Sequence, residues 1–254
     1  MKFPTTPSFR LKGKRTLVTG AGRGIGLGAS IALSAAGSDV VIVSRTEKEL
    51  RRLDKFLKKK GHNSKYKVLD ITKNSDVRNF LDAEKPFDIL VNNAGINIPS
   101  SLVETDIKDF EKVMKLNVSA LINLTKLVVK KMLKYRVKGS IINVTSQMGH
   151  VGAINRTTYC ASKFAIEGFT KALSIELAPQ KIRVNSLSPT FIETSLTRKF
   201  LKDKEFKDYV LSMIPLKRLG KIEDVMGAFV FLASDASSLM TGTSLVLDGG
   251  WTAR

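Results

Sequence analysis

Seven short runs dominated by Val, Ile and Leu recur along this chain, at 15–19, 39–44, 65–69, 88–91, 140–145, 182–187 and 244–247. A segment of helical periodicity separates each from the next, near 25–36, 46–60, 75–84, 106–135, 158–178 and 222–233. Most of the apolar runs lack polar alternation, as strands covered on both faces do. Strand, helix, strand in repetition predicts an α/β fold, a parallel sheet with helices on both faces. No Pro/Gly/Ser linker or composition break divides the 254 residues, so a single domain is expected over 11–254 behind an N-terminal extension, 1–10. The irregular stretch is 189–215, helical from about 196 to 212, which reads as a lid.

Composition narrows the function classes. A hydrophobic content of 43% with 26% charged residues fits an ordinary soluble globular protein. No apolar run reaches the ~18 residues of a membrane span, and no membrane association is expected. The single cysteine, Cys160, allows no internal disulfide and fits a reducing cytoplasm. Two histidines and one cysteine leave no metal-ligand spacing, so no metal is expected. The net charge of +19 would suit an acidic partner. Yet the ten Lys or Arg between Arg45 and Lys67 surround an apolar stripe of Leu50, Leu53 and Leu57, the wet face of an amphipathic helix. With no nucleic-acid-binding motif present, no nucleic-acid partner is expected.

The chemistry-bearing segments begin after the first strand. Thr19-Gly20-Ala21-Gly22-Arg23-Gly24-Ile25-Gly26 leads straight into an apolar helix. Glycines there allow a tight turn and close approach to a pyrophosphate, whose charge sits at a helix N-terminus. The second strand closes on Ser44-Arg45, whereas Asp39 merely opens it. A carboxylate at that closing position would grip the ribose hydroxyls of NAD. A hydroxyl followed by a guanidinium suits the 2′-phosphate of NADP, and Arg23 could add a second cation. NADP(H) is therefore expected, with NAD(H) left open. Further on, Tyr159 and Lys163 lie four apart on a helix, 13 residues after Ser146, so phenol and ammonium share a face. A fixed cation is expected to lower the phenol pKa and fit it for proton transfer to a substrate oxygen.

Together, the motif Thr-Gly-x-x-x-Gly-x-Gly, Asn92-Asn93-Ala94-Gly95, Asn117, Ser146 and the Tyr159/Lys163 pair resemble the short-chain dehydrogenase/reductase family, in its order and from about residue 11 to the C-terminus. The resemblance implies a Rossmann-type doubly wound sheet of about seven parallel strands, a nicotinamide cofactor and a homotetramer. It implies that Tyr159 exchanges the proton of the carbonyl or alcohol oxygen and that Ser146 hydrogen-bonds that oxygen. Lys163 would bind the nicotinamide ribose, and Asn117 would hold a water against Lys163. The cofactor would run along Gly20, Arg23, Gly24, Ile25, Gly26, Ser44, Arg45, Asp70, Ile71, Asn93, Ala94, Gly95, Tyr159, Lys163, Pro189 and Thr194. Thr190 departs from the glycine common after Pro189 in the family.

Substrate contacts are expected from Ser146, Gln147, His150, Arg156 and Tyr159, a set more polar than a bare acyl chain needs. That loop, the segment 190–194 and the ending Asp248-Gly-Gly-Trp251 resemble the family's sugar, polyol and gluconate dehydrogenases. The expected activity is interconversion of a ketone and a secondary alcohol on a small polar molecule, gluconate 5-dehydrogenase-like. The alternative is a 3-oxoacyl-(acyl-carrier-protein) reductase, whose acidic carrier would meet a basic rim such as Arg136, Lys138 and Lys181. A cofactor-binding scaffold without chemistry would have no use for Ser146, Tyr159 and Lys163 together.

Overall fold

The computed structural model describes residues 3–195 and 197–253, with Lys199 described in its backbone only. Among these residues, parallel strands β1 (Arg15–Thr19), β2 (Asp39–Ser44), β3 (Ser64–Val68), β4 (Ile89–Asn92), β5 (Ser140–Val144), β6 (Arg183–Pro189) and β7 (Ser244–Leu247) form one sheet. Their order is β3-β2-β1-β4-β5-β6-β7. The chain winds outward in one direction from β1 and then in the other from β4. The crevice at the carboxyl ends of β1 and β4 is thus the switch point where such sheets bind ligands.

Alternation along each strand splits the core in two. Val18, Ile42, Val91 and Ile142 face one side, packed with Leu33 of α1 (Gly24–Ala35), Leu50 and Leu57 of α2 (Glu47–Lys59), and Val225 and Phe229 of α8 (Ile222–Ala233). Leu17, Val41, Leu90 and Ile141 face the other. They meet Val77 and Phe80 of α3 (Asn74–Ala83), Leu124 and Val128 of α5 (Leu121–Lys134), and Leu177 of α6 (Thr157–Leu177). The edge strand β3 carries Lys65 and Lys67, charges that discourage a further strand from pairing there.

The structure departs from the sequence reading in two places. The helix expected over 106–135 is α4 (Ile107–Met114), a π-helical turn (Lys115–Ala120) and α5 in succession. The stretch expected to be helical from about 196 to 212 is a 3-10 turn (Thr197–Lys202) followed by α7 (Lys204–Met213); residue 196 lies outside the described residues. Val210 of α7 and Ile214 pack on Trp251, flanked by Phe191 and Phe206, a small cluster separate from the two main cores. Among the described residues no helix is long and apolar enough to cross a membrane.

Candidate active site

The glycine-rich turn sits at the switch point, and its shape depends on having no side chains. Gly20 and Gly24 adopt φ of +62° and +56°, the left-handed region open to glycine. A Cβ on Gly26 would stand 2.4 Å from the Gly20 carbonyl oxygen and 2.4 Å from Asn93 Nδ2. The turn is strapped to β4 by Asn93, which donates to the Thr19 and Gly20 carbonyls at 2.9 and 3.1 Å, while Thr19 Oγ1 accepts from the Asn93 and Ala94 amides. At the start of α1 no side chain caps the helix and the first turn holds no acid, leaving amide donors for an anion. A bare backbone cradle at a helix N-terminus fits a dinucleotide pyrophosphate. Gly26→Val is expected to abolish dinucleotide binding and to destabilise the fold by about 1–3 kcal/mol through overpacking. Nicotinamide fluorescence titration and urea unfolding would check it, and normal binding would refute this reading of the turn.

One cleft runs from this turn to the middle of α6. Gly20, Arg23, Gly24, Ile25, Ser44, Arg45, Asp70, Ile71, Asn93, Ala94, Gly95, Tyr159, Lys163 and Thr194 all line it, as do Gly22, Glu49, Ile96 and Thr145. Gly26 packs beneath the turn rather than on the cleft wall, and Pro189 ends β6 with its ring buried. At the far end, Arg23 lies 3.8 Å from Glu49, which takes up part of its charge. Asp70 is opposed by burial but accepts from the Thr72 amide and hydroxyl at 3.0 and 2.7 Å. With Arg45 and Lys73 nearby, its carboxyl lies below the ordinary range.

The reactive groups meet where β5, the π turn and α6 converge. Ser146 Oγ donates to Gln147 Oε1 at 2.8 Å and accepts from the Met148 amide at 3.1 Å, and it stands near enough to Tyr159 to lower the phenol pKa. Lys163 is buried and donates to the Val144 carbonyl at 3.0 Å, its ammonium 5.5 Å from the Tyr159 ring centre. Asn117, 2% exposed, exchanges two hydrogen bonds with the Ile96 backbone, both 2.9 Å, and donates to Ser162 Oγ at 3.1 Å. The π turn carries Asn117 into these contacts, and such single π turns recur at functional sites.

The expected depression of the phenol pKa is not what this arrangement produces. Burial pushes the Tyr159 hydroxyl up to about 12, against a smaller lowering by Ser146. It is Lys163 that moves down, to about 8, because burial penalises its charge more than Glu167 restores it. Desolvation is the largest cause for both groups. The phenol therefore holds its proton at neutral pH and is poised to donate it.

Glu167 was missed in the sequence, although it lies one helical turn past Lys163 at i+4. It is buried, and it accepts from Thr145 at 2.5 Å, Ser186 at 2.7 Å and Ser188 at 3.0 Å. His150 joins this network rather than the cleft: its Nε2 lies 3.0 Å from Ser244 Oγ, 3.2 Å from Ser188 Oγ and 3.4 Å from Glu167. Gln147 is buried behind Ser146. Arg156 instead borders a second cavity beside α6, walled by Met148, Phe191, Phe206, Tyr209 and Trp251.

Comparison with known proteins agrees with this geometry. A family model described as Enoyl-(Acyl carrier protein) reductase matches residues 20–252. The chain is 40% identical to a 3-oxoacyl-[acyl-carrier-protein] reductase of Chlamydia pneumoniae, over 95% of this chain and 98% of that one. It is 37% identical to the 2-dehydro-3-deoxy-D-gluconate 5-dehydrogenase of Bacillus subtilis, over 97% and 98%. A gluconate 5-dehydrogenase from Burkholderia cenocepacia, solved in complex with NADP and tartrate, superposes with a TM-score of 0.93 at 34% identity, covering 97% of this chain and 98% of that one. With a doubly wound seven-stranded sheet, a glycine-turn cleft and relatives matched over nearly its whole length, this chain belongs to the short-chain dehydrogenase/reductase family.

Proposed function

We propose that the protein is an NADP(H)-dependent oxidoreductase that interconverts a ketone and a secondary alcohol on a sugar, sugar acid or polyol. The observation that carries this is the meeting of Ser146, Tyr159 and Lys163 at one end of the dinucleotide cleft. The nicotinamide, when bound, supplies or accepts the hydride. Ser146 positions the substrate oxygen with a hydrogen bond and steadies charge developing on it. Tyr159 delivers its proton to that oxygen in reduction and takes it back in oxidation. Lys163 holds the ribose and reloads the phenol, and Asn117 keeps the backbone around Ile96 and α6 in register. The segment 189–215 closes over the substrate in this reading. The relatives named above include one acting on a gluconate derivative and one solved with NADP and tartrate, which suits a polyhydroxylated substrate. The proposal extends to a homotetramer in the cytoplasm.

Ser44 and Arg45 at the end of β2 support NADP(H) over NAD(H). Arg45→Ala is expected to raise KM for NADPH by about 10- to 100-fold, the loss of charge-assisted bonds to a phosphate, with little change for NADH. Steady-state kinetics with both cofactors would check this, and equal effects on the two would remove the role given to Arg45.

A second reading, 3-oxoacyl-(acyl-carrier-protein) reductase, is favoured by the aromatic wall of the second cavity and by the Chlamydia pneumoniae relative. An absorbance screen over keto sugars, aldonates, polyols and 3-oxoacyl thioesters separates the two. Turnover of carrier-bound thioesters alone, weakening with added salt as docking charges are screened, would replace the first reading with the second.

A further inference from the structure

We propose that Arg156 anchors a carboxylate of the substrate, which makes sugar acids, rather than neutral sugars or polyols, the substrate class. This rests on the oxidoreductase reading above. Arg156 immediately precedes α6 and follows Asn155, whose φ of +56° turns the chain into the helix. It is only 6% exposed, yet among the described residues no carboxylate lies within ion-pair distance of it. Its hydrogen bond runs from Nη1 to the neighbouring Asn155 carbonyl at 2.9 Å, and its buried Nε finds no acceptor. The rings of Phe200 and Phe206 stand 5.4 and 5.6 Å from Cζ. Ring faces ease the charge, but they offer nothing to the in-plane N–H groups, which need oxygen acceptors. An unpaired buried cation is costly, and a planar guanidinium matches a carboxylate with two parallel bonds.

The surroundings point the same way. Arg156 lies three residues before Tyr159, so the unpaired charge is one helical turn from the proton donor, where it lowers the phenol pKa slightly. The first turn of α6 contains no acid and no side-chain cap, which adds positive potential at that spot. Gln147 Nε2, beside Ser146, is a second buried donor with no acceptor. Asp203 does border the cavity, but its Oδ1 is engaged by the Phe206 amide at 3.1 Å, capping α7. Two buried donors, Arg156 Nε and Gln147 Nε2, thus lack acceptors, and a substrate carboxylate would supply them.

Trp251, the sole tryptophan of the sequence, lines the same cavity, so its fluorescence reports occupancy. The test titrates the NADP-loaded protein with D-gluconate and with D-glucitol, which carries a hydroxymethyl group in place of the carboxylate. Wild type is expected to bind gluconate more tightly, and Arg156→Gln to weaken gluconate by about 10- to 100-fold with glucitol unchanged. Arg156→Lys should fall between, keeping the charge without the fork. Equal wild-type affinities, no response to gluconate, or an Arg156→Gln variant that weakens both ligands alike would overturn the proposal; the last would make Arg156 a brace for the lid. Arg156-dependent gluconate binding without any redox turnover would sink the oxidoreductase reading and leave the anchor standing. Redox turnover of neutral ketoses with no preference for acids would do the reverse.

Discussion

Tyr159→Phe should lower kcat/KM by roughly 10²- to 10⁴-fold, the usual share of a positioned general acid. Phenylalanine keeps the ring and its packing and removes one hydroxyl. In the proposed mechanism this hydroxyl is the proton source, and burial holds it near pKa 12, protonated at any ordinary assay pH. Ser146 keeps its bonds to Gln147 and Met148, so the loop is expected to stay in place. Cofactor affinity should stay within a few-fold, since the glycine turn and the β2 end are untouched. Parallel kinetics and nicotinamide fluorescence titration would check both halves. Retention of more than about a tenth of the activity would end the case for Tyr159 as proton donor.

Lys163 makes a prediction about stability as well as catalysis. Burial brings its folded pKa to about 8 from the ordinary lysine value of 10.5. Below pH 8 both folded and unfolded chains carry the charge, and folding bears the full cost of burying it. Between pH 8 and 10.5 the unfolded chain holds a proton that the folded protein has released, so stability rises with pH. The full rise is on the order of 3 kcal/mol. Tyr159 acts oppositely but later: its folded pKa of about 12 exceeds the ordinary 10.0, so its contribution is lost only above pH 10. Burial also raises the Cys160 thiol above its ordinary 9.0, which lowers stability above pH 9, so the window from pH 8 to 9 belongs to Lys163. Urea unfolding across that window should show rising stability in wild type and a flat profile in Lys163→Met, with turnover abolished in the variant. Parallel profiles would mean that Lys163 does not sit in the folded protein as an energetically penalised cation.

The parts of this molecule legible in the sequence are those set by local chemistry. β1, β2 and β7 occupy the residues expected of them; β1 and β2 do so because buried parallel strands write themselves as apolar runs, while β7 is a half-buried edge strand. The glycine turn was legible because few other residues could make it. The π turn was not: the apolar spacing continues from Val113 to Leu121 and Leu124 with nothing to mark the wider turn between them. Glu167 had a local signal in its i+4 spacing from Lys163, but its partners Thr145, just after β5, and Ser186 and Ser188 of β6 meet it only in the fold. His150 carries the same lesson, since its polarity serves the strand ends rather than the cleft. The phenol pKa was misjudged because spacing gives the distance to a charge but not the burial, which dominates here.

The most direct test of the account is the transfer of label from NADPH carrying deuterium at the reactive carbon of its nicotinamide. Incubated with the protein and a polyhydroxylated keto acid, it should place deuterium on the new carbinol carbon of the product, in wild type and far more slowly in Tyr159→Phe. NADPH consumed without label at that carbon, or no NADPH consumed with any keto acid, keto sugar or 3-oxoacyl thioester, would contradict the hydride-transfer site assigned to Ser146, Tyr159 and Lys163.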